Sequence, residues 1–448
     1  YVFARGSRAF SAFAFLNIRK EGPAVVAGSA ENYFNLNPDC FLIKGAKRGA
    51  LHNLANGDVF SVDPVSVRIL EGCENRTSID EISAGVKEVK REEIAGYLGK
   101  IAEAGMGRFS AEPSAEPKID VKQRQEKLDF LWLELREDCN LRCRHCYCMS
   151  KPAIRDVDRL THEEWKRVID EASNLGCRTL QFIGGEPLLY GEKLFDLAAH
   201  AVSRGYASME IFSNLTFLTD EWIDKIVDMK IEVATSIYSK RPEIHDLCTT
   251  VPGSFERTIA GVRKLKDRGI HTRAACTIMK QNQDYLEETM EFLKELETRR
   301  PGFDLVRPSG RGNDEEIFPD KISKKARYRA KAQFMDTDRP TFIKRFNGNG
   351  CWQGKVVVSS TGSIHPCIMQ RDDISSNVRR SSLESIVNGP LRKYWDISYD
   401  DIEVCRDCEY RYACHDCRPV AFGLTGKLTA KSLHCSYDPC EGVWKDVE

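Results

Sequence analysis

Three cysteines stand together in Cys139-Asn-Leu-Arg-Cys143-Arg-His-Cys146, a C-x3-C-x2-C run. A [4Fe–4S] cube has four irons and is normally held by four thiolates. Three thiolates fix three irons and leave the fourth open to bind and reduce another molecule. Zinc is the competing occupant, with His145 or Cys148 completing its shell, although zinc usually takes paired C-x2-C units. Further on, Gly184-Gly185-Glu186-Pro187 forms a turn whose glycines allow close backbone approach to a ligand. Its carbonyls and the Glu186 carboxylate offer acceptors for an ammonium group, although the same four residues also make an ordinary strand-end turn. A second thiol-rich stretch holds Cys351, Cys367, Cys405, Cys408, Cys414, Cys417, Cys435 and Cys440. Its C-x2-C pairs at Cys405–Cys408 and Cys414–Cys417 suit iron–sulfur clusters and structural zinc alike. Cys40, Cys73, Cys148, Cys177, Cys248 and Cys276 read as packed or free thiols.

Such side chains need a framework, and from residue 128 to 340 strand and helix patterns alternate. Phe130–Arg136 is a largely apolar run suited to a buried strand, and it delivers Cys139 at its C-terminal end. Thr179–Ile183 ends in the Gly-Gly-Glu-Pro turn, and Met209–Phe212, Ile231–Tyr238, Thr272–Met279 and Phe303–Arg307 continue the series. Amphipathic stretches near 162–175, 192–204, 219–229, 254–268 and 284–297 read as the intervening helices. Six strand–helix units predict an α/β fold, a parallel sheet or partial barrel with function at the C-terminal strand ends. The cysteine loop, the glycine turn, Ser213-Asn214 and Ser236 all fall at such ends. His245-Asp246 and the Arg307–Arg311 segment lie near strand ends too; Arg307 is the charge expected to reach a ligand, the others capping helices or pairing at the surface.

The cysteine loop, followed by Gly-Gly-Glu-Pro on the next strand, resembles the defining pattern of the radical S-adenosylmethionine (radical SAM) enzymes. In that family the open iron of a [4Fe–4S] cluster chelates the amino and carboxylate groups of SAM, and an electron then releases a 5′-deoxyadenosyl radical. The resemblance implies that Cys139, Cys143 and Cys146 hold this cluster and that Gly184, Gly185, Glu186 and Pro187 face the amino group of SAM. It also implies that Ser213 and Asn214 face the ribose or carboxylate, with Ser236 nearby, and that Tyr147 lies beside the adenine. The C-terminal cysteines resemble the SPASM extension of the family, which carries two auxiliary [4Fe–4S] clusters. Carried over by position, Cys351, Cys367 and Cys417 hold the first, and Cys405, Cys408, Cys414 and Cys435 the second. The C-x2-C at Cys414–Cys417 is one residue shorter than the family's usual spacing. Cys440 is left either to complete the first auxiliary cluster or to stand free; if free, an open iron there would take a substrate thiolate.

Residues 33–110 follow a different pattern. Phe41–Lys44, Gly49–Leu54 and a strand through Val62 read as a small sheet with a tight turn at Asn56-Gly57-Asp58. Asp63-Pro64 opens a helix as N-cap and first residue, and helices near 78–86 and 91–104 follow. This resembles the winged-helix element of peptide-modifying enzymes, on which a leader segment of a precursor peptide adds as a strand. A winged helix also binds DNA, but the 91–104 helix carries Arg91 and Lys100 against Glu92, Glu93 and Glu103, which suits peptide better than phosphate. Residues 111–127 read as a linker that tethers this domain without fixing it, and residues 1–32 carry no readable motif.

The expected architecture is therefore a winged-helix-like α+β domain (33–110), a partial (β/α)6 TIM-type barrel (128–340) and a cysteine-rich SPASM domain (341–448). That order resembles the maturases of ribosomally made peptides over about nine-tenths of the chain. It implies an enzyme that forges a thioether or a carbon–carbon cross-link within a precursor peptide, with ferredoxin or flavodoxin as reductant. A sulfatase-maturing, formylglycine-forming type is the alternative, but the aspartate that follows its G-x4-C cysteine is absent here: Cys367 is followed by Ile368, Met369 and Gln370. A metal-stabilised binding protein is the non-enzyme alternative. A formal net charge of −1 gives no general attraction for nucleic acid or anionic membrane. The Phe10–Ile18 run is too short and interrupted to span a bilayer, and 17 cysteines need a reducing, cytoplasmic setting.

Overall fold

The computed structural model describes residues 31–155, 157–320, 337–371, 376–432 and 435–445. Nearly all of the motif-free N-terminal segment, the Phe10–Ile18 run included, lies outside the described residues.

Two small antiparallel sheets open the chain. One pairs β1 (Tyr33–Leu36) with β5 (Gly107–Ser110); the other is a meander of β2 (Cys40–Lys44), β3 (Gly49–Asn53) and β4 (Val59–Val62). The β1–β5 pair has no counterpart in the sequence reading, because each strand is only four residues long and its partner lies over seventy residues away. Three helices pack behind the sheets. Asp63 caps the first, Pro64–Glu74, by accepting from the Ser66 N–H; Ser78 and Glu81 form a capping box on the second. Ile69, Leu70, Ile94, Tyr97, Leu98 and Ile101 are buried with Leu51 in a core of this domain's own.

Six parallel strands follow in sequence order: β6 (Phe130–Glu134), β7 (Thr179–Ile183), β8 (Ser208–Phe212), β9 (Glu232–Ser236), β10 (Arg273–Ile278) and β11 (Arg299–Leu305). β6 and β7 are buried on both faces, as strands covered on both sides are, and the polar Gln181 of β7 accepts from Trp132 Nε1 of β6. Helices such as His162–Asn174, capped by Thr161 with Glu164, turn their apolar stripes onto the sheet. The sheet does not stop at six strands. β12 (Lys355–Val358) adds in parallel to the outer edge of β6, setting Val356 against Leu131 and Val357 against Trp132, and β13 (Ile364–His365) pairs antiparallel to β12. The cysteine-rich extension thus shares a sheet with the barrel. A hairpin of β14 (Tyr437–Asp438) and β15 (Val443–Trp444) ends the described structure.

The N-terminal domain is docked, which corrects the expectation of a loose tether. Ile43, Leu54 and linker residue Val121 bury against Phe342 and Tyr412 of the extension. The Phe342 ring lies 5.4 Å from Phe41 and 5.1 Å from His52. The Ala46 N–H donates to the Asp407 carbonyl at 2.7 Å, and Arg411 Nη1 donates to the Lys44 carbonyl at 2.8 Å. The polar composition of the linker says nothing about the apolar partner that β2 and β3 find elsewhere. Phe342→Ala is expected to cost about 3–5 kcal/mol at this seam, seen as faster proteolysis within residues 111–127 while SAM binding persists. Unchanged proteolysis would place the docking energy in other contacts. Among the described residues no helix is long and apolar enough to cross a membrane.

Candidate active site

The C-terminal ends of the barrel strands open on one cavity of about 190 Å³. Cys139, Cys143 and Cys146 line it on one side; Gly184, Gly185, Glu186, Ser213, Asn214 and Ser236 line it at the strand ends, with Tyr147 and Arg307 alongside. Pro187 does not reach it. That residue is buried at the start of the 3-10 turn Pro187–Tyr190.

The glycine turn is explained by the chain itself. A Cβ on Gly185 would fall 1.9 Å from the Asp138 carbonyl oxygen, and one on Gly184, whose φ is +135°, would fall 2.4 Å from that of Arg136. The turn lies flat against the strand that delivers Cys139, with the Gly185 N–H donating to Arg136 O at 2.6 Å and the Glu186 N–H to Asp138 O at 3.1 Å. Two neighbouring strand ends are thereby locked in register. Glu186 is buried, and its carboxylate accepts from the Leu188 N–H (2.9 Å), Ser213 Oγ (2.7 Å) and the Asn214 N–H (2.8 Å). Burial raises its pKa to about 7. The Asn214 side chain turns to the cysteine loop, donating to Asn140 Oδ1 at 2.8 Å and lying 3.7 Å from Cys139 Sγ.

The outer wall of the loop is held from two directions. Arg311 Nε donates to the Cys143 carbonyl (2.8 Å) and its Nη2 to the Ser150 carbonyl (2.7 Å). Gly310 permits this, since a Cβ there would fall 2.2 Å from the Tyr147 carbonyl oxygen. From the extension, Arg371 forms a bidentate pair with Glu134 of β6 (2.8 and 2.5 Å) and lies 5.0 Å over the Tyr147 ring. Arg371 carries no motif and only its contacts reveal it, and Arg311, expected to cap a helix or pair at the surface, holds the cysteine loop instead. His245 accepts from the Tyr238 N–H, and Asp246 accepts from Gly253, Ser254 and Phe255 at the next helix start, so this pair serves structure.

The C-terminal cysteines gather in two groups. Cys351 and Cys417 share a hydrogen bond, with Cys367 beside them; Cys405, Cys408, Cys414 and Cys435 line a separate cavity. Cys440 is exposed on the β14–β15 turn and belongs to neither wall. Burial raises the thiols of Cys367, Cys405, Cys408 and Cys414, Cys405 to about 12, and in the cysteine loop it raises Cys143 to about 12 as well. Loading with metal must therefore expel protons. Among the described residues no three His, Cys, Asp or Glu side chains gather at the spacing of a single metal ion. Cys139, Cys143 and Cys146 line one cavity and Cys405, Cys408, Cys414 and Cys435 another, each with space between the thiols.

Residues 133–293 match the radical SAM superfamily, and residues 351–409 match SPASM, an iron–sulfur cluster-binding domain. The chain is a radical SAM enzyme with a SPASM extension. Its cofactors are accordingly [4Fe–4S] clusters and SAM, and three cysteine thiols beside a buried carboxylate in one cavity fit them. This radical SAM chain is 28% identical to the AdoMet-dependent heme synthase of Methanosarcina barkeri, over 68% of this chain and 95% of that one. It is 27% identical to the antilisterial bacteriocin subtilosin biosynthesis protein AlbA of Bacillus subtilis, over 58% of this chain and 60% of AlbA. Its fold is similar to that of Streptococcus suis SuiB bound to precursor peptide SuiA, with a TM-score of 0.55 at 15% identity, over 89% of this chain and 98% of that one.

Proposed function

We propose that this radical SAM enzyme modifies a ribosomally made precursor peptide, joining two of its side chains, or a side chain and a backbone carbon, with loss of two hydrogens. The N-terminal domain carries this reading. The match to the heme synthase takes in 68% of the chain, whereas the likeness to SuiB, a structure holding its precursor peptide, takes in 89%. The larger share leaves room for a counterpart of the docked domain in the peptide-type fold, which supports this reading. Its sheet ends at β4, an edge on which the leader of the peptide would pair as a further strand, packed beside the helices. A tetrapyrrole substrate is the second reading, favoured by the heme synthase identity.

With cluster and SAM bound, the site supplies a radical that takes hydrogen from an unactivated C–H bond. Cys139, Cys143 and Cys146 hold three corners of that cluster. Glu186 accepts the amino group of SAM, Ser213, Asn214 and Ser236 bound its ribose and carboxylate, and Tyr147 borders the adenine. Arg307 lines this cavity, and its charge is felt at Cys367; it would orient a carboxylate of SAM or peptide. We assign two auxiliary clusters, one to Cys351, Cys367 and Cys417, the other to Cys405, Cys408, Cys414 and Cys435. With Cys440 on the surface, the first offers three thiols and leaves one position for a substrate cysteine. That supports a thioether. Free thiols on this scale suit the cytoplasm, with a low-potential carrier as reductant.

Two experiments follow. SAM affinity should weaken as pH falls through about 7, because Glu186 gains a proton there and no longer accepts as a carboxylate from the amino N–H groups of SAM. Glu186→Gln should flatten that dependence and weaken binding roughly tenfold at alkaline pH, measured by equilibrium dialysis; a pH-independent affinity in the wild type would contradict the assignment. Mass spectrometry of a cysteine-containing candidate peptide after anaerobic turnover should show loss of two hydrogens per linkage. Conversion of an iron porphyrin with the peptide untouched would replace this reading by the second.

A further inference from the structure

Every turnover requires an electron from outside, and the cysteine loop has an outer face through which it can arrive. Arg142 and Arg144 flank Cys143 on that face, and both are exposed although the thiol between them is sheltered. They are anchored to the end of the helix Pro242–Thr249. The N–H groups of Arg142 and Arg144 donate to the Thr249 and Cys248 carbonyls at 3.2 and 2.9 Å, and Arg144 Nε to the Leu247 carbonyl at 3.0 Å. Lys151, whose carbonyl accepts from the Cys139 N–H of the same loop, and Arg257, which reaches the Pro252 carbonyl just beyond that helix, are exposed as well. None of these four cations is in an ion pair among the described residues. Nearby Arg136, Arg159 and Arg241 are all paired, with Asp138, Glu137 and Glu288. Asp246, on the same helix, spends both oxygens capping the next one. Met149 and Leu247 add exposed apolar side chains, 60% and 42% accessible.

We propose that Arg142, Arg144, Lys151 and Arg257 form the docking surface for a small acidic one-electron carrier of the flavodoxin or ferredoxin type. Unpaired cations in a chain of formal net charge −1 mark a local field instead of a general one. The carrier loses one electron and the cluster behind Cys143 gains it; no atom is transferred. Since electron transfer weakens steeply with distance, a partner seated on Arg142 and Arg144 would stand beside one of the thiols that would hold the cluster. The inference rests on the radical SAM identity and holds whatever the substrate.

The test mixes iron-loaded enzyme with a reduced flavodoxin under anaerobic conditions, follows bleaching of the cluster absorbance, and measures binding of the oxidised flavodoxin separately. The wild-type rate should fall at least about tenfold from roughly 0.01 M to 1 M ionic strength as screening shortens from about 30 to 3 Å. R142E/R144E should slow reduction and weaken binding by about tenfold or more at low salt, while dithionite reduces variant and wild type at rates within about twofold. Because these arginines adjoin a cluster ligand, K151E/R257E provides a second variant farther along the chain from it, expected to act in the same direction. A salt-insensitive rate, or both variants binding flavodoxin like wild type, would overturn the proposal. So would competition by a DNA duplex as effective as the flavodoxin itself, which would make the patch a nucleic-acid surface.

Discussion

Cys143→Ala is expected to leave the protein folded, with its auxiliary iron in place, and to lower SAM cleavage by at least about 10³-fold. A cluster held at three corners has no spare ligand, so removing one thiolate is not a graded loss. Cys148, the nearest other thiol of the loop, lies 3.8 Å from Cys146 and bonds Ser150 and Gly184, placing it at the Cys146 corner. Iron should fall by about four per chain from about twelve, and the folded signal should persist because the C-terminal groups are built on other elements. Measured iron and 5′-deoxyadenosine release check this directly. Retained cleavage in the variant would show that Cys143 is not a ligand.

Gly185→Ala is expected to be nearly as damaging without touching any ligand. The added methyl would stand 1.9 Å from the Asp138 oxygen and 2.4 Å from its carbonyl carbon, and neither is the movable end of a side chain. Relief requires the turn and the cysteine loop to separate, breaking the Gly185–Arg136 and Glu186–Asp138 hydrogen bonds and shifting Cys139. The cost should reach about 3 kcal/mol or more, with the cluster-specific iron lost and the auxiliary iron kept. Gly85→Ala is the control, because a Cβ there meets nothing within 4 Å and its φ is not positive. A G185A protein with full iron and normal melting would refute the seam between the two strand ends.

These expectations show where sequence sufficed. That Cys139, Cys143 and Cys146 share one cavity wall was readable because they sit within eight residues of one another, and strand ends followed from apolar runs broken by glycine. What stayed hidden depends on pairings between distant parts of the chain. Arg311 meets Cys143 across 168 positions, and Arg371 meets Glu134 across 237, and no local pattern encodes either. β12 is a short apolar run whose parallel partner, β6, lies more than two hundred residues earlier. The docking of the N-terminal domain was missed for the same reason, because β2 and β3 share their apolar face with Phe342 and Tyr412. At the glycine turn the pattern was visible but its physical cause was not. The space those glycines leave is filled by the chain's own backbone.

The most direct measurement of the central claim is anaerobic turnover of the iron-loaded protein with SAM, a reductant and a deuterated candidate precursor peptide. Iron is counted in the same sample. The account predicts about twelve irons per chain, deuterium transferred from the peptide into 5′-deoxyadenosine, and a peptide lighter by two hydrogens for each bond formed. Zinc in place of iron, or SAM left intact beside an unchanged peptide, would contradict it.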